Sequence, residues 1–147
     1  MFSTFVPDEQ AMLDLGASFS TQLKGGDIVY LVGDLGAGKT TLVKGIIQGL
    51  GYSGNVTSPT YTLVEFYEHA DFNVYHFDLY RLESPEELEF LGIRDMGGEQ
   101  SVILVEWPDK GQGVLPAADH LIEISYQDEG RTVNISGTDL AQGVLVE

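Results

Sequence analysis

Eight consecutive residues carry the clearest chemistry in this chain: Gly33, Asp34, Leu35, Gly36, Ala37, Gly38, Lys39 and Thr40. They match the spacing G-x-x-x-x-G-K-[ST]. Two glycines and the lysine are fixed and the last position is restricted. A chance match in a chain of 147 residues is on the order of one in a hundred. Glycines let a backbone curl until its N–H groups point inward, which suits phosphate oxygens. A helix starting at the end of the loop adds its positive pole. Lys39 would place an ammonium on the β- and γ-phosphates, and the Thr40 hydroxyl would ligate magnesium. That is the chemistry of holding a magnesium nucleoside triphosphate.

Holding a triphosphate is not hydrolysing it. Hydrolysis also needs a positioned metal and a positioned water. Two acids are placed for this. Glu106 follows the apolar run Val102, Ile103, Leu104, Val105, and Asp78 follows Val74, Tyr75, His76, Phe77. In open α/β sheets, ligands gather at the carboxyl ends of the strands, where both acids would lie. Asp78 could polarise water or hold the metal through water. Thr57, Ser58 and Thr60 lie on a polar loop that could sense a γ-phosphate or simply turn the chain. His76 alternates with Asp78 and suits either packing or catalysis. Trp107 suits either the core or a plug beside the nucleotide.

These residues need a frame. Asp8 can cap a helix whose stripe is Met12, Leu15, Phe19 and Leu23, ending at Gly25 and Gly26. Residues 28–32 form an apolar run that reads as a strand buried on both faces. Residues 39–50 read as a helix terminated by Gly51. Residues 61–67 and 74–79 read as strands of a hairpin. Ser84 as N-cap, Pro85 at the first position and Glu87 closing a capping box start a helix that ends near Gly92. Residues 101–106, 121–126 and 131–136 read as further strands, the last two joined by a turn at Asp128, Glu129 and Gly130. The sum is an α/β fold over residues 1–147 as one domain. A mostly parallel central sheet gains antiparallel strands and carries helices on its faces, a three-layer P-loop NTPase-like arrangement.

Composition narrows the function. Seven Lys and Arg face 23 Asp and Glu, a net charge of −16. Such a surface repels phosphate backbones, which disfavours unaided nucleic-acid binding. It serves solubility or a partner with a basic face. The chain has no cysteine, which excludes disulfides and thiolate chemistry. The first residues lack the basic and apolar regions of a signal peptide, and no apolar run is long enough for a bilayer, so a cytoplasmic location without membrane contact is expected. Arg81, Arg94 and Arg131 are the three arginines, and none has spacing that marks an arginine finger. If catalysis lacks a cation for the transition state, intrinsic turnover should be slow, and a partner could supply or order the missing group.

Five segments in this order carry a family resemblance: the loop from Gly33 to Thr41; Thr57-Ser58-Pro59-Thr60-Tyr61-Thr62-Leu63-Val64-Glu65; Tyr75-His76-Phe77-Asp78-Leu79-Tyr80-Arg81-Leu82; Glu86-Glu87-Leu88-Glu89-Phe90; and Leu104-Val105-Glu106-Trp107-Pro108. Together they resemble the TsaE (YjeE) family of small bacterial ATPases of tRNA threonylcarbamoyladenosine biosynthesis. The resemblance implies slow hydrolysis of ATP with Mg2+. It implies work with a TsaB–TsaD complex that places threonylcarbamoyl on adenosine 37 of tRNAs reading codons that begin with A. The ATPase itself would not be the transferase, and tRNA would be met only through the partners. By the same resemblance, Lys39 and Thr40 are the phosphate and magnesium residues, Glu106 the magnesium acid and Asp78 the second catalytic and metal-side acid. Thr60 is the switch threonine, Trp107 the tryptophan beside the site, and Glu9 and Gly130 lie near the base. A small-molecule kinase would carry an arginine-rich lid. A GTP switch would carry an Asn-Lys-x-Asp or Thr-Lys-x-Asp stretch. This chain shows neither.

Overall fold

The computed structural model describes residues 2–34, 36–54, 56, 63–68, 73–96 and 98–137. Among them, seven strands form one sheet in the order β1-β7-β6-β2-β5-β4-β3. The strands are β1 (Phe2–Val6), β2 (Ile28–Gly33), β3 (Val64–Tyr67), β4 (Asn73–Asp78), β5 (Ser101–Glu106), β6 (His120–Gln127) and β7 (Gly130–Gly137). The four central strands β6, β2, β5 and β4 run parallel. Antiparallel strands extend the sheet at both sides, β7 and β1 beyond β6 and β3 beyond β4. The expected mixed sheet is therefore present.

Burial explains the sequence pattern. A parallel strand covered on both faces must be apolar on both. All six residues of β5 are buried. On one face, Val29, Leu31, Val102, Leu104 and Ile122 meet the helices α1 (Glu9–Ser20) and α2 (Lys39–Gly49). On the other, Phe77, Ile103 and Val105 meet Leu88 and Ile93 of the short helices α3 (Glu86–Leu91) and α4 (Ile93–Met96). These are the three expected layers. Each fully buried Leu, Ile, Val or Phe contributes about 1.5–3 kcal/mol. Helices α1 and α2 pack closely because Gly45 has no side chain; a Cβ there would lie 2.4 Å from the Leu13 carbonyl oxygen.

Local signals mostly act where expected. The Asp8 carboxylate accepts the Ala11 N–H at 2.8 Å and caps α1. Helix α1 ends at Ser20, earlier than the Gly25-Gly26 pair suggests, because a turn at residues 21–22 intervenes before β2. Gly51 follows α2 with φ 113°, its N–H bonded to the Gln48 carbonyl. Pro85 sits at the cap of α3 rather than inside it. Glu87 still reaches back to the Ser84 N–H at 3.1 Å, so half of the capping box forms. Gly92 closes α3 with φ 78°. The hairpin β6–β7 turns at residues 128–129, with Gln127 facing Gly130. Strand β1 was not foreseen from the sequence: its residues alternate in burial only because β7 provides an edge to pair with. No helix among the described residues is long and apolar enough to cross a membrane.

Candidate functional site

Strand β2 ends at Gly33, in the middle of the sheet, and the chain turns through the glycine loop into α2. The turn depends on Gly38, whose φ of 110° no ordinary side chain tolerates. The Ala37 N–H bonds the Asp34 carbonyl at 3.0 Å, and the Leu42 N–H bonds the Gly38 carbonyl at 3.0 Å. Lys39 is 5% exposed. Its ammonium donates to the carbonyls of Gly33 and, at 3.1 Å, Asp34. It also lies 4.2 Å from the centre of the Trp107 ring. Burial lowers the Lys39 pKa, while Glu106, Asp78 and Asp34 act to raise it.

Opposite the loop stand the two acids. Asp78 and Glu106 are register partners at the ends of β4 and β5. Glu106 is 2% exposed. One carboxylate oxygen, Oε2, faces two groups: the Thr40 hydroxyl at 3.3 Å and His76 Nε2 at 2.7 Å. A carboxylate only accepts, so Nε2 carries the hydrogen and donates. Nδ1 of the same ring is buried and has no partner among the described residues. Asp78 is half-buried; its pKa is raised by burial and then by Glu106, against the Tyr80 N–H, His76 and Lys39. The Asp78 carboxylate accepts that N–H at 3.1 Å.

Trp107 follows Glu106 directly, with φ 58° and ψ 51°. A bulky residue in this left-handed region costs on the order of 1–3 kcal/mol. The conformation is followed by a short 3₁₀ turn, Pro108–Gly111. The ring rests on Tyr80, centroids 5.0 Å apart. Trp107 is thus a half-buried wall of the site rather than core.

Two cavities flank the loop. One, of about 360 Å³, is lined by Lys39, Thr40, Asp78, Tyr80, Glu106 and Trp107 along with the loop glycines. The other, of about 320 Å³, is lined by Glu9, Met12, Glu129, Gly130 and Arg131, and both share Gly36, Ala37, Gly38 and Thr41. Lys39, Thr40, Asp78, Glu106 and Trp107 therefore come together at one cavity, and Glu9 and Gly130 line the other. Gly33 sits beneath it as the last residue of β2. Leu35 and Thr60, with Thr57 and Ser58, lie outside the described residues. The sequence left His76 open between packing and catalysis and gave no reason to single out Tyr80. The signal for His76 was its alternation with Asp78, which puts both side chains on one face of β4.

A family model described as threonylcarbamoyl adenosine biosynthesis protein TsaE matches residues 6–133. The chain belongs to the TsaE family. A TsaE from Haemophilus influenzae is 52% identical, with 96% of this chain and 93% of that protein covered. A Bacillus subtilis TsaE is 43% identical, over 77% of this chain and 69% of that protein. The crystal structure of Bacillus subtilis YdiB superposes with a TM-score of 0.73 at 27% identity, covering 98% of this chain and 90% of that one. TsaE proteins are P-loop ATPases involved in tRNA threonylcarbamoyladenosine biosynthesis, and this chain shares that family role.

Proposed function

We propose that the chain is an Mg-dependent ATPase that hydrolyses ATP slowly alone. It serves formation of the threonylcarbamoyl group on adenosine 37 of tRNAs reading codons that begin with A. It acts with a TsaB–TsaD complex, is not itself the transferase, and meets tRNA only through those partners, in the cytoplasm. The observation that carries the reading is the single cavity into which Lys39, Thr40, Asp78 and Glu106 converge beside the glycine loop.

The roles follow from the chemistry of each group. The main-chain amides of residues 38–41, at the start of α2, cradle phosphate oxygens. Lys39 exchanges its two carbonyl partners for phosphate oxygens, a stronger pairing because both sides are charged. The donor set fits magnesium: one hydroxyl and two acids suffice for an ion that takes few protein ligands and completes its shell with phosphates and water. When bound, magnesium would offset the charge of the phosphates. Thr40 and Glu106 would hold it, and Asp78 would orient water or support the ion through water. Thr60 senses the γ-phosphate. Trp107 covers the phosphates, and Glu9 and Gly130 border the base. The missing transition-state cation comes from, or is ordered by, a partner.

The test is an ATPase assay with and without the partner pair and tRNA. Hydrolysis should rise when the partners are added, and no rise over a wide concentration range would remove the partner claim. Calorimetry that finds no saturable binding of ATP with magnesium would remove the site itself.

A further inference from the structure

We infer that Arg131 is a positioning residue that aims the Gly38 amide of the loop through its hold on the Gly36 and Ala37 carbonyls. The inference rests on the reading that this loop holds phosphates. Arg131 stands at the start of β7, next to the hairpin turn. Its Nε donates to the Ala37 carbonyl at 3.0 Å, and Nη2 to the Gly36 carbonyl at 3.4 Å. Its Nη1 donates to the Gly130 carbonyl at 3.0 Å. The guanidinium carbon lies 4.2 Å from the centre of the Tyr126 ring. Each of these three hydrogen bonds ends on a main-chain carbonyl, although the acids Asp8, Glu9 and Glu129 line the same cavity.

The peptide geometry supplies the reason. In a trans peptide the C=O and the next N–H point in opposite directions. Holding the Ala37 carbonyl toward Arg131 sends the Gly38 N–H to the other side of the loop. Lys39, Thr40 and the two acids line the cavity at the loop that Arg131 does not line. The preceding peptide is held at both ends, its carbonyl by Nη2 and its N–H by the Asp34 carbonyl. The restraint matters because Gly36 and Gly38 stand at φ 80° and 110° and have no side chain to stop the peptides between them from rotating. Arginine suits this position because its planar fork reaches two adjacent carbonyls at once, and a lysine ammonium does not match that geometry.

The experiment uses Arg131→Gln and Arg131→Lys in the full chain, with three readouts. The first is the 15N–1H resonance and hydrogen exchange of the Gly38 amide in nucleotide-free protein. The second is affinity for ATP with magnesium by calorimetry, and the third is thermal stability. The Gly38 resonance should move in both variants before any nucleotide is added. Affinity should fall about tenfold in Arg131→Gln and less in Arg131→Lys. An unchanged Gly38 amide overturns the inference, even with weaker binding, because Arg131 would then act by direct contact. Unchanged affinity with a shifted amide overturns it as well. If Arg131→Gln fails to fold, Arg131→Lys decides on the same criteria. Failure of the wild-type chain to bind ATP would sink the phosphate reading instead, and the Gly38 resonance would still report whether Arg131 sets the loop.

Discussion

Among the described residues the sheet holds two buried histidine–carboxylate pairs, one toward each end of its parallel strands. His76 meets Glu106 at 2.7 Å beside the glycine loop; His120 meets Asp27 at 3.1 Å where β6 and β2 begin. In both, the histidine is almost wholly buried and its Nδ1 has no partner among the described residues. Their surroundings differ. Glu106 shares its oxygen with the Thr40 hydroxyl, has Asp78 beside it and borders a cavity. Asp27 accepts the Lys24 N–H at 3.1 Å and so closes the turn before β2, while His120 packs edge-on against Phe19. One pair has space and a second acid in front of it; the other is walled into a turn. The same two residue types thus serve a site at the carboxyl ends of the strands and a structural joint at their amino ends, as open α/β sheets lead one to expect.

The most severe loss should come from a change confined to the site end. Lys39→Ala removes the only described ammonium in the phosphate cavity and should weaken binding of ATP with magnesium by on the order of a hundredfold, measured by calorimetry. Next, Glu106→Gln should lower magnesium-dependent hydrolysis by about 10²–10³ while affinity changes far less. Equal losses in rate and affinity would argue against its role at the metal.

A matched pair of variants then separates the two ends directly. His76→Phe and His120→Phe each remove a buried hydrogen bond and should each cost about 1–3 kcal/mol in urea unfolding. Only His76→Phe should raise the magnesium concentration needed for half-maximal hydrolysis. A similar rise for His120→Phe would erase the distinction between the two ends.

The mildest change is a pH dependence. Burial and Glu106 raise the Asp78 pKa in the folded chain. The folded state therefore holds this proton more firmly than the unfolded state. The associated stability is present below the unfolded pKa and is lost as pH rises through the folded one. Asp78→Asn should melt above the wild type at neutral pH, with the gap closing in acid, while hydrolysis falls. A variant less stable than wild type at neutral pH would contradict the stated cause of the shift.

Much of this was legible in the linear chain, because some constraints are local. The glycine spacing before Lys39 and Thr40, the apolar run into Glu106 and the cap at Asp8 each act through neighbours in sequence. A turn, a buried strand and a helix start can be read from such neighbours alone. What needed the folded molecule was every partnership across the sheet: Asp78 in register with Glu106, His76 reaching the same carboxylate, β1 finding the edge of β7, and Arg131 gripping carbonyls 94 and 95 positions away. Those contacts depend on strand order and register. Residue types along the chain restrict order and register only weakly, whereas packing of both sheet faces selects one arrangement.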